Sequence, residues 1–219
     1  MSNSNFELRA LTFLDSLQPQ LARLIFSNKV IHQPMIQDAM LIVEVAPAMK
    51  IHALVDLVLK HTNVKLGALI TERYFGLLFI QHADQGEVIT AGQAILRAIG
   101  LPENYRTKVA VLTKQIIRSV SSDHLICFND IAADNKVQVG ESVFVMETSP
   151  AGYISLICNE ALKAATVKLI AIKPFGATSR LIISGREAEV DAVIGAANQT
   201  VNNLNEDDNK QWAIDVHTS

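Results

Sequence analysis

The sequence has little cysteine, little net charge and no long hydrophobic run, and each shortage removes a class of protein from consideration. Its two cysteines, Cys127 and Cys158, stand among apolar residues without metal-ligand spacing. We therefore expect buried free thiols, as in a reducing cytoplasm, rather than a disulfide. The net charge is −3, and no basic stripe of the kind that binds nucleic acid is present. No segment approaches the roughly 20 apolar residues that a membrane span needs.

Signals for secretion, catalysis and metal binding are missing too. The N-terminal residues MSNSNFELRA include neither the basic segment nor the apolar core of a secretory signal peptide. There is no glycine-rich phosphate loop and no nucleophile elbow. The histidines, at positions 32, 52, 61, 82, 124 and 217, lack HxH or HExxH spacing. We therefore expect no metal site, no cofactor and no enzymatic activity.

Apolar residues, by contrast, are abundant. They make up 49% of the 219 residues, against 19% that are charged. Surplus apolar surface without a membrane signal indicates broad interfaces between subunits.

The chain also contains an internal repeat. Residues 42–78 align on residues 145–181 without a gap, at a constant offset of 103. The retained pairs include an acid, a proline and two lysines: Glu44 with Glu147, Pro47 with Pro150, Lys60 with Lys163 and Lys65 with Lys168. The segments before them align weakly at an offset of 101, through Leu11-Thr12 with Leu112-Thr113. A chain of two similar domains brings pseudo-symmetry into its assembly, so we expect function at an axis or an interface.

Each half is predicted to contain the same elements in the same order: strand, short helix or turn, strand, long helix, two strands and a closing helix. The strands are predicted at 7–15, 39–46, 65–71 and 77–82, and again at 108–118, 142–148, 168–173 and 180–184. The closing helices are predicted at 86–99 and 186–201. The long helices have continuous apolar faces, formed by Ile51, Leu54, Val55, Val58 and Leu59 and by Ile154, Ile157, Cys158, Ala161 and Leu162.

This alternation predicts an α+β fold in two domains, each a sheet covered by helices. The first domain spans residues 1–100 and the second 101–204, with a linker at 100–106. Residues 205–219 are polar and include Trp212, and we expect them to form a disordered tail.

The second repeat carries the pattern V-x-E-x-x-P-A followed by a helix ending in L-K-A-A-x-V, in VMETSPAGYISLICNEALKAATVKLIAIKPFG. This pattern resembles the domain of bacterial microcompartment (BMC) shell proteins. A strand and turn before that core, in both halves, resembles the circularly permuted form of the domain. Two such domains in one chain resemble the permuted tandem-domain shell proteins, through segments such as LIVEVAPAMKI, ITERYFGLL, DQGEVITAGQAILRAIGL and FGATSRL. The resemblance covers residues 7–201.

The resemblance implies two ferredoxin-like BMC domains, each an antiparallel sheet covered by helices. It also implies a structural protein in the shell of a cytoplasmic microcompartment. Three chains would form a pseudohexameric trimer around a central pore for metabolites. Two trimers would stack face to face, and other shell proteins would be neighbours. The resemblance leaves open whether the compartment is a carboxysome or a metabolosome.

The same resemblance implies the location of the pore. Its lining would be the loops between the two strands after the first long helix of each domain, at 71–76 and 174–179. Glu72 and Arg73 would form a swinging gate. The open passage would be lined by Tyr74, Phe75, Gly76, Phe175 and Gly176.

Taken alone, Glu72-Arg73 is typical of a solvated ion pair worth about 0–1 kcal/mol. Three arginines on one axis repel one another unless acids or anions compensate. Such a ring would favour anionic metabolites, although three glutamates reduce that bias. Gly76 and Gly176 have two interpretations, a turn that needs positive φ or room at a crowded axis.

Lys60 and Lys163 close the two long helices. As isolated residues they are typical of solvated lysines favoured by the helix dipole. The resemblance implies that both lie at tile edges and contact neighbouring tiles.

Two other classes of function remain open from the residues. The main alternative is a small-molecule-binding regulatory α+β oligomer, since tandem domains of this kind form pockets at subunit interfaces. An oligomeric enzyme with a site across the trimer interface is the third class.

Overall fold

The computed structural model describes residues 6–26, 30–102, 105 and 107–206. The strands and helices follow the predicted order in both halves. The first half consists of β1 (Glu7–Leu14), α1 (Pro19–Leu24), β2 (Ala39–Ala46), α2 (Ile51–His61), β3 (Lys65–Glu72), β4 (Phe75–His82) and α3 (Gln85–Ala98). The second half consists of β5 (Ala110–Ile117), α4 (Ser122–Asp130), β6 (Ser142–Ser149), α5 (Ile154–Ala164), β7 (Lys168–Lys173), β8 (Arg180–Gly185) and α6 (Glu187–Asn205).

Prolines mark the junctions between strand and helix in both halves. Pro47 and Pro150 each precede a single 3₁₀ turn that leads directly into α2 or α5. The closing helix α6 continues to Asn205, past its predicted end at 201. The predicted tail beyond Glu206, with Trp212, lies outside the described residues, as does part of the predicted linker.

The strands form two antiparallel four-stranded sheets of identical topology. The first has the order β1-β2-β4-β3 and the second has the order β5-β6-β8-β7. The predicted α+β fold, with an antiparallel sheet and helices in each half, is therefore confirmed.

Strand register shows that the offset of 103 extends through the leading strands, so the predicted offset of 101 is wrong. Glu7 lies opposite Ala46, and Ala110 lies opposite Ser149. Each leading strand also has an irregularity at the matching position, next to Ala10 in β1 and next to Thr113 in β5. The two offsets differ by two residues, which leaves the alternation of inward and outward side chains unchanged. The hydrophobic pattern therefore could not separate them.

Each sheet has an inner face that is covered by the long helices of its own half. On the first sheet, α2 and α3 pack over residues such as Val43 and Leu78. On the second sheet, α5 and α6 pack over Phe144 and Leu181. Burial of these helix faces against their sheets supplies the main apolar core of each half.

The outer faces of the two sheets differ in burial. Ile42 and Glu44 of the first sheet are fully buried, because the second half of the chain packs over them in a core shared with α1 and α5. The matching residues of the second sheet, Val145 and Glu147, are only half-buried. The outer face of the first sheet is thus covered by the second half of the chain. That of the second sheet is covered only in part, by a small core of α4 over Val143, Ile170 and Ile182.

The helices α2 and α5 show the complementary difference. Leu156 and Asn159 of α5 are buried between the two halves, whereas the matching Ala53 and Asp56 of α2 are exposed. Leu59, predicted as part of the apolar face of α2, is 45% exposed. The apolar face of α2 therefore ends, in the single chain, at an exposed leucine.

Candidate functional site

The two predicted pore loops are the turns of two β-hairpins. In the first, β3 and β4 are joined by Arg73 and Tyr74 alone, and Glu72 pairs with Phe75. Arg73 has a φ of 55°, in the left-handed region. The second hairpin has a longer loop, residues 174–179, between β7 and β8. The structure therefore gives the two halves loops of different shape at matching positions.

These loops meet across the junction of the two domains. The Nζ atom of Lys173 lies 3.4 Å from the Oε1 atom of Glu72. Between the hairpins is a cavity of about 250 Å³. Its lining includes Glu72, Arg73, Phe75, Lys173, Gly176 and Arg180. Four of these were predicted site residues, whereas Lys173 and Arg180 were missed.

The first hairpin is anchored by Arg9 of β1. The guanidinium lies 4.3 Å from the centre of the Phe75 ring, in cation–π geometry. Its Nε donates to Glu44 Oε1 at 2.8 Å, and its Nη2 donates to Ser149 Oγ at 3.4 Å. Arg9 therefore holds the base of the first hairpin against the second domain.

Glu44 is the acid at the centre of this junction. Its side chain has no exposed surface, and its Oε2 accepts a hydrogen bond of 2.8 Å from the backbone N–H of Gly152 in the other domain. Burial raises the pKa of Glu44, although the bonds from Arg9 and Gly152 act in the opposite direction. The sequence contains one clue to this site, a lone glutamate inside the apolar strand AMLIVEVA. A charge buried in such a strand needs a partner, so the pattern indicates that a cation or a donor packs against it.

The aromatic residues of the predicted pore differ in exposure. Tyr74 is 54% exposed and contacts the Phe75 ring edge-on, with 5.7 Å between centroids. Phe175 is half-buried and packs against the shared core, with Lys173 Nζ 5.1 Å from its ring centre. Tyr74 is thus the aromatic residue of the first loop most open to a partner or a solute.

Glycine is required at the two loop positions for different structural reasons. Gly176 has a φ of 108°, so the positive-φ interpretation is confirmed for it. Gly76 is buried and is not among the positive-φ residues. A Cβ there would collide with the carbonyl oxygen of Ala48, in the 3₁₀ turn of the same domain. The positive-φ interpretation is therefore wrong for Gly76, where the missing side chain permits close packing inside one domain.

The two predicted edge lysines lie in unequal environments. The Lys60 side chain is 67% exposed and pairs with Asp56 one helical turn earlier. The Lys163 side chain is 29% exposed and pairs at 2.7 Å with Asp15 of the first domain and at 2.9 Å with Glu160. Burial lowers the pKa of Lys163, but its bonds to the two acids outweigh this and raise it. Lys163 therefore ties the two domains of one chain together.

Both cysteines are free thiols, as predicted, but the predicted burial is right for only one of them. Cys158 is buried, and burial raises its pKa, whereas Cys127 is exposed on α4. In the part of the chain that the structure describes, no group of His, Cys, Asp and Glu side chains could hold a metal ion. No helix within the described ranges has the length and apolarity needed to cross a membrane.

A second cleft, of about 500 Å³, lies between the domains on the side of Lys163. Its walls carry the Asp15 and Glu160 carboxylates as well as the amides of Gln85 and Gln199. Lys163 pairs with both carboxylates, so the charged groups of the lining carry a net charge of −1.

Sequence comparison finds similarity over nearly the whole chain. Residues 8–105 match the family model of the CsoS1D N-terminal domain. The carboxysome shell protein CsoS1D of Hydrogenovibrio crunogenus is 42% identical over 199 residues, which cover 90% of this chain and 97% of that protein. The carboxysome shell protein CcmP of Synechococcus elongatus is 34% identical over 198 residues, or 90% and 93% of the two chains.

Solved structures show the same fold. The fused permuted hexameric shell protein MSM0275 from the RMM microcompartment superposes with a TM-score of 0.88 at 36% identity, covering 92% of this chain and all of that one. The double-ringed trimeric shell protein MSM0271 from the same type of compartment gives a TM-score of 0.86 at 29% identity, over 91% and 98% of the chains.

Proposed function

This chain belongs to the permuted tandem-domain shell proteins of bacterial microcompartments, the family of CsoS1D, and on that premise we propose that three copies form a pseudohexameric shell tile with a gated pore. The sequence relatives named above are carboxysome shell proteins, which favours a carboxysome over a metabolosome. MSM0271, with the same fold, is described as trimeric and double-ringed.

The observation that carries the proposal is the unequal burial of two matching surfaces. Inside the chain, the outer face of the first sheet is covered by α5 and the turn before it. Two hydrogen bonds mark this seam: Gly152 N–H to Glu44 Oε2, and Gln18 N–H to Asn159 Oδ1. A third joins Leu169 N–H to Gln20 Oε1.

Residues that match these by the offset of 103 would form an equivalent interface between neighbouring chains. The part of the second sheet's outer face around Val145 and Glu147, which is half-buried in the single chain, would contact the exposed face of α2 from the next chain. Glu147 would then accept from the N–H of Met49, which is 69% exposed. Asp56 would accept from the N–H of Ser121, and Asp123 from that of Leu66. Each predicted pair has a carboxylate as acceptor, which makes such bonds stronger than neutral ones.

A head-to-tail contact of this kind continues until a ring closes. Each chain would contribute one interface within itself and one to the next chain. If the two are related by a rotation of about one sixth of a turn, three chains complete the ring. The two hairpins of every chain would then surround the axis, so that three copies of Glu72 and Arg73 face one another.

The gate would work through alternative partners of Glu72. In the single chain, its carboxylate lies beside Lys173, while Arg73 is exposed in the turn. A closed state would place Glu72 against Arg73 of a neighbouring chain. An open state would keep it on Lys173, turned away from the axis. Two such states need differ by only a few kcal/mol to be populated together.

Stacking of two trimers would use an apolar surface that recurs in both domains. Its most exposed members are Met35, Ile36, Ile126 and Val139, in α4 and the loops that lead into β2 and β6. Since Ile36 and Val139 are related by the offset of 103, a pseudohexameric ring would display them six times on one face. Exposed apolar area of this kind marks interaction surfaces.

Light scattering with two matched variants tests the assembly. Wild type should have the mass of three chains, or of six if trimers stack. Met49→Glu puts a like charge opposite Glu147 and should give single chains. Val139→Glu should keep the trimer and remove only the stacking. A single-chain or two-chain mass for wild type, or an intact trimer in Met49→Glu, would contradict the proposed ring.

The gate is tested by the structure of the trimer and by a Glu72→Ala, Arg73→Ala variant. The hairpin should lie on the three-fold axis, and shells carrying the variant should pass metabolites faster. Hairpins far from the axis, or an unchanged flux, would refute the gate.

The cleft beside Lys163 supports a second candidate function, the binding of a small regulatory molecule. Its volume of about 500 Å³ lies within the range of small-molecule sites. A metabolite that binds tightly and is lost in Gln199→Trp would favour this function, whereas sheets or stacked discs in electron micrographs favour the tile.

A further inference from the structure

We propose that the cavity between the two hairpin loops binds a small dianionic oxyanion, such as a phosphate group, in competition with Glu72. The binding itself rests on the cavity of the single chain. Its consequence for passage through a pore rests on the proposed function.

The charges around the cavity are unbalanced. Three cations, Arg73, Lys173 and Arg180, line it together with one carboxylate, that of Glu72. Within the described part of the chain, Lys173 is the only one of these cations with an ion pair. The lining therefore carries two uncompensated positive charges.

The register of β7 and β8 places two of these cations side by side, which increases their repulsion. Lys173 and Arg180 lie directly opposite each other on β7 and β8. Like charges at directly opposed positions of an antiparallel pair destabilise it. Glu72 reaches this pair from the other domain, yet at 3.4 Å from Lys173 it makes only one weak contact. A bound anion between the two cations would relieve the repulsion more fully.

The shape of the cavity selects a small ligand. Its volume of about 250 Å³ is below the range of about 300–1,000 Å³ for larger organic ligands. Gly176 brings the backbone close to the Glu72 carboxylate, since a Cβ there would be 3.4 Å from Oε1. Beside it, the hydroxyl-bearing Thr178 also lines the wall and is exposed.

Charge matching favours a phosphate over a carboxylate. Once Glu72 is displaced, three cations line the cavity, and a phosphate monoester, with a charge of about −1.5 to −2 at neutral pH, offsets most of their charge. Arginine side chains also bind phosphate oxygens in bidentate geometry. A single carboxylate would leave two of the three cations without compensation.

Competition links this site to the gate. An anion on Lys173 displaces the Glu72 carboxylate, which is then free to pair with Arg73 of a neighbouring chain. In the proposed trimer, bound phosphate would therefore shift the hairpin towards the closed arrangement. The shift is limited to the difference in affinity of the anion for the two states.

Titration calorimetry of the full chain with inorganic phosphate, at neutral pH and low ionic strength, tests the binding. Lys173→Gln and Arg180→Gln should each weaken it roughly fivefold, the scale of a partly exposed ion pair. Glu72→Gln should tighten it by a similar factor, because the competing carboxylate is gone. Lys65→Gln removes an exposed lysine at the far end of β3 and should change nothing.

Further titrations separate the sources of the anion. Sulfate should bind about as well as phosphate, and acetate much more weakly. Glycerol phosphate should match or exceed inorganic phosphate if the natural ligand is a phosphorylated metabolite, and should bind less well if it is free phosphate.

Any one of three results would overturn the inference. Phosphate affinity could be unchanged in both Lys173→Gln and Arg180→Gln, it could fall as much in Lys65→Gln as in those variants, or it could be weaker in Glu72→Gln. Light scattering on the same samples keeps this result apart from the proposed assembly. A trimer that does not bind phosphate refutes the inference alone. Phosphate binding by a single chain refutes only the ring.

Discussion

Replacing Glu44 with alanine should destabilise the protein more than any exposed substitution described above. The side chain has no exposed surface and accepts bonds of 2.8 Å from both Arg9 and Gly152. Its loss leaves a guanidinium that is only 15% exposed without its buried partner. Breaking a buried pair from one side costs about 3–5 kcal/mol. We expect a decrease of that size in the free energy of unfolding, measured by urea denaturation at neutral pH.

A double-mutant cycle and the internal repeat supply the controls. Arg9→Met combined with Glu44→Ala should cost less than the sum of the single changes, because neither charge is then left alone. Glu147→Ala makes the same change at the matching position. There the carboxylate is half-buried and accepts from Thr113 Oγ1 at 2.9 Å, so we expect about 1 kcal/mol. A Glu44→Ala variant as stable as wild type, or strictly additive costs, would refute this account of the junction.

Three further predictions concern packing, titration and tile edges. Gly76→Ala should cost about 1–3 kcal/mol by overpacking, whereas Gly195→Ala, which meets no atom within 4 Å, should be neutral or slightly stabilising; equal melting temperatures would contradict this. Burial raises the pKa of Glu44 above its ordinary 4.5, so the stability it contributes is complete below that pH and is lost as pH rises through the folded-state pKa. The cost of Glu44→Gln should thus be smaller at pH 7 than at pH 4; a larger cost at pH 7 would mean that the pKa is lowered. Lys60→Ala should impair sheet formation in electron micrographs without changing trimer mass, and Lys163→Ala should instead lower stability; sheets like those of wild type in Lys60→Ala would remove its edge role.

Much of the fold could be predicted because local pattern and global structure agree. Strand alternation and the helix faces located the eight strands and the two closing helices to within a few residues. The leading segment was misaligned because a shift of two residues preserves which side chains face inward. Gly76 was misread because the carbonyl of Ala48 comes close only in the folded domain.

The site was predictable only in part, since its members come from distant places in the sequence. Glu72 and Arg73 stand out through the resemblance to shell proteins. Lys173 is 101 residues from Glu72, and no local pattern connects them. Arg9 lies in an ordinary strand, so its role depends on the folded contact with the Phe75 ring. Lys60 and Lys163 match in sequence yet differ in surroundings. Lys163 lies at the junction between the two domains of the chain, whereas Lys60 lies at the exposed end of α2.

That covered junction also affects how fast and how readily a ring can assemble. A ring of six separate domains requires five association steps, each with a loss of translational and rotational freedom estimated at 4–15 kcal/mol. Fusing the domains in pairs makes every second contact intramolecular, with an effective concentration set by the short linker. Only two association steps remain for three chains, so the ring should form at lower protein concentration. The covalent seam has no dissociation equilibrium, which leaves the seam of Met49 and Glu147 as the place where such a ring would open.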